Sequence, residues 1–456
     1  MATASKTSKA RPSFRCSECG WTTAKWVGRC GECQEWGTVD EAGATPTGPK
    51  TTATKPTSNP ARPIADISVD AARATPTGIP EFDRVLGGGL VPGAVVLLAG
   101  EPGVGKSTLL LDVAATAARG GRRVLYVTGE ESAGQVRLRA ERINALDPQL
   151  LLAAETDLGM LLGHVEAVSP DLLIVDSVQT IASSEVEGSP GGVGQVREVA
   201  AALIKCAKDR NLPVILVGHV TKDGSVAGPR TLEHLVDVVC QFEGDRHARL
   251  RMVRAAKNRF GPTDEVGCFE LSEEGIIGLS DPSGLFLSHI NMLVPGTCVT
   301  VTIEGRRPLA LEVQSLVVPS SLANPRRTTS GVDSSRLAMI LAVAHRHLGA
   351  RLMDTDVYVS TIGGAKITEP AVDLAVLLAL MSALEDKALP VGTIALGEVG
   401  LAGELRTVSG ISRRLSEAAR LGFTRAIVPA SAHLEAPAGM QLLQAHTVFE
   451  AVQRAH

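Results

Sequence analysis

Eight residues, "GEPGVGKS" from Gly100 to Ser107, have the types and spacing of a phosphate-binding loop, G-x-x-x-x-G-K-[ST]. Phosphate oxygens need backbone N–H groups brought close with no side chain in the way. Gly103 and Gly105 meet that need, at a helix N-terminus whose dipole favours an anion. The cradle comprises Gly100, Glu101, Pro102, Gly103, Val104, Gly105, Lys106, Ser107 and Thr108. Lys106 supplies a mobile cation for the β- and γ-phosphates of ATP, and the Ser107 hydroxyl ligates Mg²⁺. Downstream, "LLIVDS" carries Asp176 at the end of an apolar run, where such a site needs a carboxylate to hold the magnesium shell. Without the loop upstream, an aspartate there would more simply cap a helix. Hydrolysis also needs a group that orients the attacking water. Glu130, ending "RVLYVTGE", leaves its strand at the carboxyl edge, where ligands bind in open α/β sheets. Glu131 is its rival, and a solvated loop charge is the plainer role for either.

A second chemistry lies near the N-terminus. "CSECGWTTAKWVGRCGEC" places Cys16 and Cys19 two residues apart, then Cys30 and Cys33 likewise, a pattern suited to four thiolates around Zn²⁺. Trp21, Trp26 and Trp36, all the tryptophans of the chain, lie in or beside it. A module this small lacks a sufficient core, so metal and indole packing are expected to hold it together, ahead of a role for tryptophan in stacking on bases. The other cysteines, Cys206, Cys240, Cys268 and Cys298, stand in apolar surroundings and read as core.

A third stretch, "RMVRAAKNRFG", holds four cations and no carboxylate. Lys257 and Arg259 are either the exposed end of a basic strand, with Arg249 and Arg251 sharing a face toward DNA, or an i, i+2 pair aimed together at a phosphoryl group.

These residues must be positioned by elements that the sequence also outlines. Apolar runs "AVVLLAG", "RVLYVTGE", "DLLIVDSV" and "PVILVGHV" alternate with helical stretches such as "STLLLDVAATAARG", which implies a parallel sheet covered on both faces. The expected organisation is a C4 zinc-finger module at 1–36, a Thr/Pro/Ala/Gly-rich flexible linker at 37–63, a P-loop ATPase domain at 64–284 and an α+β domain at 285–456. "PSSLANPRRTTSGVDSS" reads as a break before the long helices of the last domain. "SSEVEGSPGGVGQVR", after the magnesium strand, is either a mobile pore loop or a plain connection. The chain has 456 residues and a net charge of −4, so a grip on nucleic acid would need local patches instead of a bulk basic field. The longest apolar run, "LAVLLALM", is far short of the ~18 residues that cross a bilayer, and we expect no membrane contact and a cytoplasmic location.

Taken in order, the motifs resemble the bacterial RadA (Sms) family, a DNA-repair relative of RecA. The resemblance spans nearly the whole chain and rests on the four-cysteine head, "TGIPEFDRVLGGGLVPG" leading into "GEPGVGKST", "VGHVTKDG" and "KNRFG". It implies an α/β fold: a RecA-like P-loop ATPase core, a small N-terminal zinc module and a C-terminal α+β domain similar to the proteolytic domain of Lon. It also implies a DNA-stimulated ATPase, a hexameric ring motor on single-stranded or branched DNA, assisting RecA by branch migration of recombination intermediates. In ring helicases that resemble the family, the Lys-x-Arg pair, here Lys257 and Arg259, crosses the subunit interface toward the neighbour's γ-phosphate.

In the Lon-like stretch "GGAKITEPAVDLAV", Ala371 stands where a serine nucleophile would follow a proline, and in "GISRRLSEAARLGF" Arg414 takes the place of the activating lysine. A guanidinium stays protonated and cannot act as base, so the resemblance implies a scaffold without peptidase activity. Arg406, Arg413, Arg414 and Arg420 either meet phosphates or form a charged, solvated helix face. Two competing readings are an ATP-dependent Lon-type protease, against which Ala371 speaks, and an ATP-driven signalling hexamer of the clock-protein type, which lacks the zinc head and the Lon-like tail.

Overall fold

The computed structural model describes residues 14–41, 63–66, 73–219, 232–244, 249–272, 275–287, 293–362, 367–430 and 434–456. The chain divides into two units, Met1–Ser68 and Val69–His456.

In the first unit, β1 (Phe14–Cys16) pairs antiparallel with β2 (Thr22–Thr23) and with β3 (Val39–Glu41). The module therefore runs past Trp36, where the sequence reading ended it, because the backbone groups of β1 find their partners in β3. The remainder of the expected linker, 42–62, lies outside the described residues. Trp21 packs on the small cluster of Cys16, Cys30 and Val39. Trp26 and Trp36 are 64% and 73% exposed, so the expected indole packing falls to Trp21.

The second unit begins with α1 (Pro80–Leu86) and builds a nine-stranded sheet. Its chain order is β4 (Val95–Gly100), α2 (Lys106–Arg119), β5 (Val124–Thr128), α3 (Ala133–Arg142), β6 (Leu150–Ala154), α4 (Leu158–Val168), β7 (Leu172–Asp176), α5 (Val193–Arg210) and β8 (Val214–His219). A meander follows: β9 (Val238–Glu243), β10 (Leu250–Asn258), β11 (Val266–Ser272) and β12 (Gly275–Gly278). The spatial order is β12-β11-β10-β9-β4-β8-β7-β5-β6, parallel from β9 to β6 and antiparallel across the meander. Successive residues of a strand face opposite sides. Val96, Leu98, Val124 and Tyr126 accordingly join one core with α1, α2 and α3, while Val95, Leu97, Leu125 and Val127 join the other with α4 and α5. Every residue of β4 is buried, as the unbroken apolar run requires.

The chain continues with β13 (Thr297–Glu304), β14 (Arg307–Pro319), β15 (Arg327–Ser330), α6 (Ser334–Leu348), β16 (Thr355–Thr361), α7 (Asp373–Glu385), β17 (Thr393–Ala395), β18 (Glu398–Val399), β19 (Leu405–Arg406), α8 (Ile411–Arg420), β20 (Arg425–Pro429), β21 (Gln441–Ala445) and α9 (Val448–Ala455). Seven strands form a second sheet, ordered β15-β16-β14-β13-β17-β20-β21, with α6, α7 and α9 on one core and α8 on another. The stretch read as a break is part of this sheet, since β15 pairs in parallel with β16. The two sheets are joined by side chains. Arg307 on β14 ion-pairs with Glu81 on α1, both buried, and donates to the carbonyls of Leu279 and Ser280 at 2.7 and 2.6 Å. Arg254 on β10 meets Glu304 at 2.7 Å, and Arg306 meets Asp264 at 2.6 Å.

Candidate nucleotide and metal sites

The loop from Gly100 to Ser107 joins the central strand β4 to α2. Gly100 must lack a side chain because a Cβ there would stand 2.4 Å from the carbonyl oxygen of Phe242 on β9. Gly105, at the N-cap of α2, has φ 112°, a backbone conformation that favours glycine. Lys106 is 4% exposed and donates to the carbonyls of Gly100 and Glu101 at 2.9 and 3.0 Å. Burial pushes its ammonium below the ordinary lysine range, opposed by the charges of Asp176 and Glu130. Those three side chains therefore share one electrostatic site.

Asp176 ends β7 and is buried. Its Oδ2 accepts from the Tyr126 hydroxyl at 2.7 Å, whereas Oδ1 has no hydrogen-bond partner among the described residues. The same holds for Gln179 Oε1 and His219 Nδ1. Buried polar atoms are normally satisfied, so these open valences after β7 and at the end of β8 suit a bound group. A hard cation fits the free carboxylate oxygen of Asp176 together with the Ser107 hydroxyl on the first turn of α2.

Glu130 and Glu131 separate clearly in space. Glu130 Oε1 accepts from Ser177 Oγ at 2.6 Å and lies 2.6 Å from His219 Nε2. The His219 bond, then that of Ser177, holds Glu130 down at about 2 against the opposing effect of burial. Glu131 turns to an ion pair with Arg139 on α3. The residues that sequence reasoning missed are Tyr126, Ser177, Gln179 and His219. Of these, only His219 left a signal, a polar residue closing the apolar run "VILVGH" at the carboxyl edge.

Lys257 and Arg259 are not brought to that site. Lys257 Nζ donates to the carbonyls of Glu233 and Val236, each at 2.8 Å, and Arg259 ion-pairs with Asp237 at 3.0 Å. Asp237 also holds Lys208 at 2.8 Å and the Val95 amide at 3.0 Å. β9 lies parallel to β4 with Val96 opposite Val238 and Gly100 opposite Phe242, and Lys257 is level with Val239. About 10 Å of strand thus separate Lys257 from the P-loop end of the sheet, and its side chain turns toward the opposite end. The exposed basic face expected for Arg249 and Arg251 does not form. Arg251 points inward with Val253 and Ala255, and Arg249 pairs with Glu270 at 2.7 Å. Buried Gln195 accepts from the Ser183 amide at 2.8 Å and donates to the carbonyls of Ser183 and Val186, closing the turn on itself.

In the first unit, the sulfurs of Cys16, Cys19, Cys30 and Cys33 all lie within 4.8 Å of one another. Cys16–Cys33 and Cys19–Cys30 are 3.7 and 3.5 Å apart. Four thiolates at tetrahedral Zn–S bonds of ~2.3 Å would have edges of about 3.8 Å, so the donor set fits zinc.

The place of a Lon-like dyad is sealed. Ala371 is buried, and Arg414, fully buried, pairs bidentately with Glu369 at 2.6 and 2.7 Å while donating to Val301 O at 2.6 Å. Arg414 therefore cannot meet a phosphate. Arg420 is taken by Glu417 and Asp281, and Arg406 by Glu404.

An AAA domain family matches residues 59–225, a rubredoxin metal binding domain matches 14–41, and the ChlI subunit of Mg-chelatase matches 359–432. The DNA repair protein RadA of Mycolicibacterium smegmatis is 55% identical over 455 residues, covering 98% of this chain and 97% of the relative. That of Pseudomonas aeruginosa is 46% identical, over 95% and 96%, and that of Bacillus subtilis 42%, over 98% of each. Among solved structures, the chain is similar to a KaiC-like protein of Pyrococcus horikoshii OT3, at TM-score 0.39 and 23% identity over 46% of this chain and 99% of that one. The P-loop core is that of an ATPase using ATP with Mg²⁺, and the four cysteines are a zinc ribbon. With relatives of this identity along nearly its whole length, the chain belongs to the bacterial RadA family of DNA repair proteins.

Proposed function

We propose that the protein is a DNA-stimulated ATPase of the cytoplasm, working as a homohexameric ring on single-stranded or branched DNA to promote branch migration of intermediates made by RecA. Lys106 and the amides of Gly103 and Gly105 hold the phosphates, Ser107 and Asp176 hold Mg²⁺, and Glu130 orients the attacking water. Glu130 suits that task better than Glu131, because its carboxylate stays ionised beside Lys106 while Glu131 is spent on Arg139. The C-terminal domain is a scaffold without peptidase activity: no hydroxyl stands at Ala371, and Arg414 is committed to Glu369.

One observation carries the reading. Lys257 and Arg259 stand at the sheet edge away from their own P-loop, so in the single chain they serve no phosphate. Cations there are suited to a neighbour's γ-phosphate, where an arginine supplied in trans contributes roughly 10³ to 10⁵ in rate. Arg259→Ala protein should bind ATP yet lose most hydrolysis. Mixed with Lys106→Ala protein, it should regain part of the activity where an intact P-loop meets an intact finger. Unchanged basal hydrolysis in Arg259→Ala, with only DNA stimulation reduced, would return these residues to a DNA-holding role. Electron microscopy of the particles with single-stranded DNA tests the ring.

A further inference from the structure

Arg251 takes no part in the roles above, yet it is only 5% exposed, on a strand that borders β9. Its side chain crosses the backbone of Gly244, where a Cβ would stand 2.2 Å from Arg251 Cδ and 2.9 Å from Nε. Beyond that crossing, Nε donates to the carbonyl oxygen of Val104 at 3.2 Å, and Nη1 reaches the Leu250 carbonyl at 3.0 Å. Val104 is the P-loop residue whose peptide continues into Gly105.

A trans peptide is planar, and its C=O and following N–H point in opposite directions. A guanidinium that holds the Val104 carbonyl toward β10 therefore fixes the Gly105 N–H facing the other way, at the N-cap of α2, where an N–H suits an anion. Burying a guanidinium is unfavourable unless its donors are used, and this one spends a donor on the phosphate loop. The planar guanidinium offers Nε and Nη donors in a fixed fork, which a lysine ammonium in the same crossing cannot reproduce.

We propose that Arg251 is a positioning residue of the nucleotide site, setting the tilt of the Val104–Gly105 peptide and thereby the strength of phosphate binding. The proposal rests on Gly100–Ser107 being the ATP cradle. The full chain, loaded with zinc, is assayed for steady-state ATP hydrolysis and for binding of a fluorescent ATP analogue. Arg251→Met keeps the buried stem and removes the donors. It is expected to raise KM and Kd for ATP by about tenfold or more, the loss of one hydrogen bond to a charged group, while kcat stays within about threefold. Gly244→Ala attacks the same device from outside: its new Cβ displaces the Arg251 side chain and removes no charge, so KM should rise similarly. The double variant should be no worse than the weaker single, since both break one contact. Unchanged KM in either folded variant, a fall in kcat with KM intact, or additive losses in the double would overturn the proposal. If Arg251→Met does not fold, Gly244→Ala decides alone. Lys106→Ala keeps the two failures apart, because wild-type hydrolysis in that variant would remove the cradle reading itself.

Discussion

The hydrogen bonds from His219 and Ser177 hold the Glu130 carboxyl below the usual carboxylate range. Its folded value of about 2 lies below the ordinary 4.5, so the interaction stabilises the fold above the ordinary value and is lost as pH falls toward 2. Removing the His219 donor reverses the largest cause of that depression. In His219→Ala, the acid limb of log kcat against pH should therefore move to higher pH, toward the usual carboxylate range. A limb that stays in place would mean that some other group titrates in hydrolysis. At the same scale, Tyr126 satisfies one oxygen of Asp176 and leaves the other without a partner among the described residues. Lys106 could be named from the spacing of its motif, and Asp176 from its place at the end of an apolar run once that motif was known. Tyr126 could not, since nothing in "RVLYVTGE" distinguishes a tyrosine that packs from one that donates to a carboxylate 50 residues later.

Among the elements, the zinc ribbon depends most on a single set of bonds. Its buried cluster is Cys16, Cys30 and Val39, and two of its three indoles are exposed, so side-chain packing contributes little and the metal must contribute most. Metal analysis of the purified protein should give one zinc per chain, falling close to zero in Cys30→Ser, since three thiolates hold the ion far more weakly than four. Full zinc occupancy in that variant would show that the ion sits elsewhere. β10 shows how one strand can serve several sites. Arg251 bonds the Val104 carbonyl of the P-loop, Arg254 reaches Glu304 of the second sheet, and Lys257 lies at the far end with Arg259 just beyond the strand. A shift in its pairing with β9 between Ala255 and Lys257 leaves Ala256 as the extra residue, bending the strand before the two cations.

At the scale of the whole molecule, the ATPase sheet and the Lon-like sheet are fastened by a buried ion pair, Arg307 with Glu81. Glu81 also accepts from the Cys268 amide at 2.9 Å, so the pair ties α1, β11 and β14 together. Removing one partner leaves the other charge buried without compensation. Arg307→Met should therefore cost about 3–5 kcal/mol in denaturant unfolding, and adding Glu81→Gln should restore part of it. A loss within experimental scatter of zero would show that the contact between the sheets does not depend on this pair. In the C-terminal domain, Ala371 is buried in the packing and Arg414 is committed to an internal ion pair with Glu369.

The sequence by itself determined the features that depend on near neighbours along the chain. The P-loop, the four cysteines and the apolar strands are each complete within a short window, and backbone geometry follows from their residue types. The absence of a serine at 371 was equally plain. Tertiary structure alone decided what depends on distant segments meeting. It turned Arg251 inward onto Val104, separated Glu130 from Glu131 by giving them different partners, and placed β3 beyond Trp36. It drew "RTTS" into a sheet and buried Arg414 against Glu369. A basic residue reads the same in sequence whether it meets water, a phosphate or a carbonyl. Only the fold, by deciding which polar groups lose their water, determines the partner each must find.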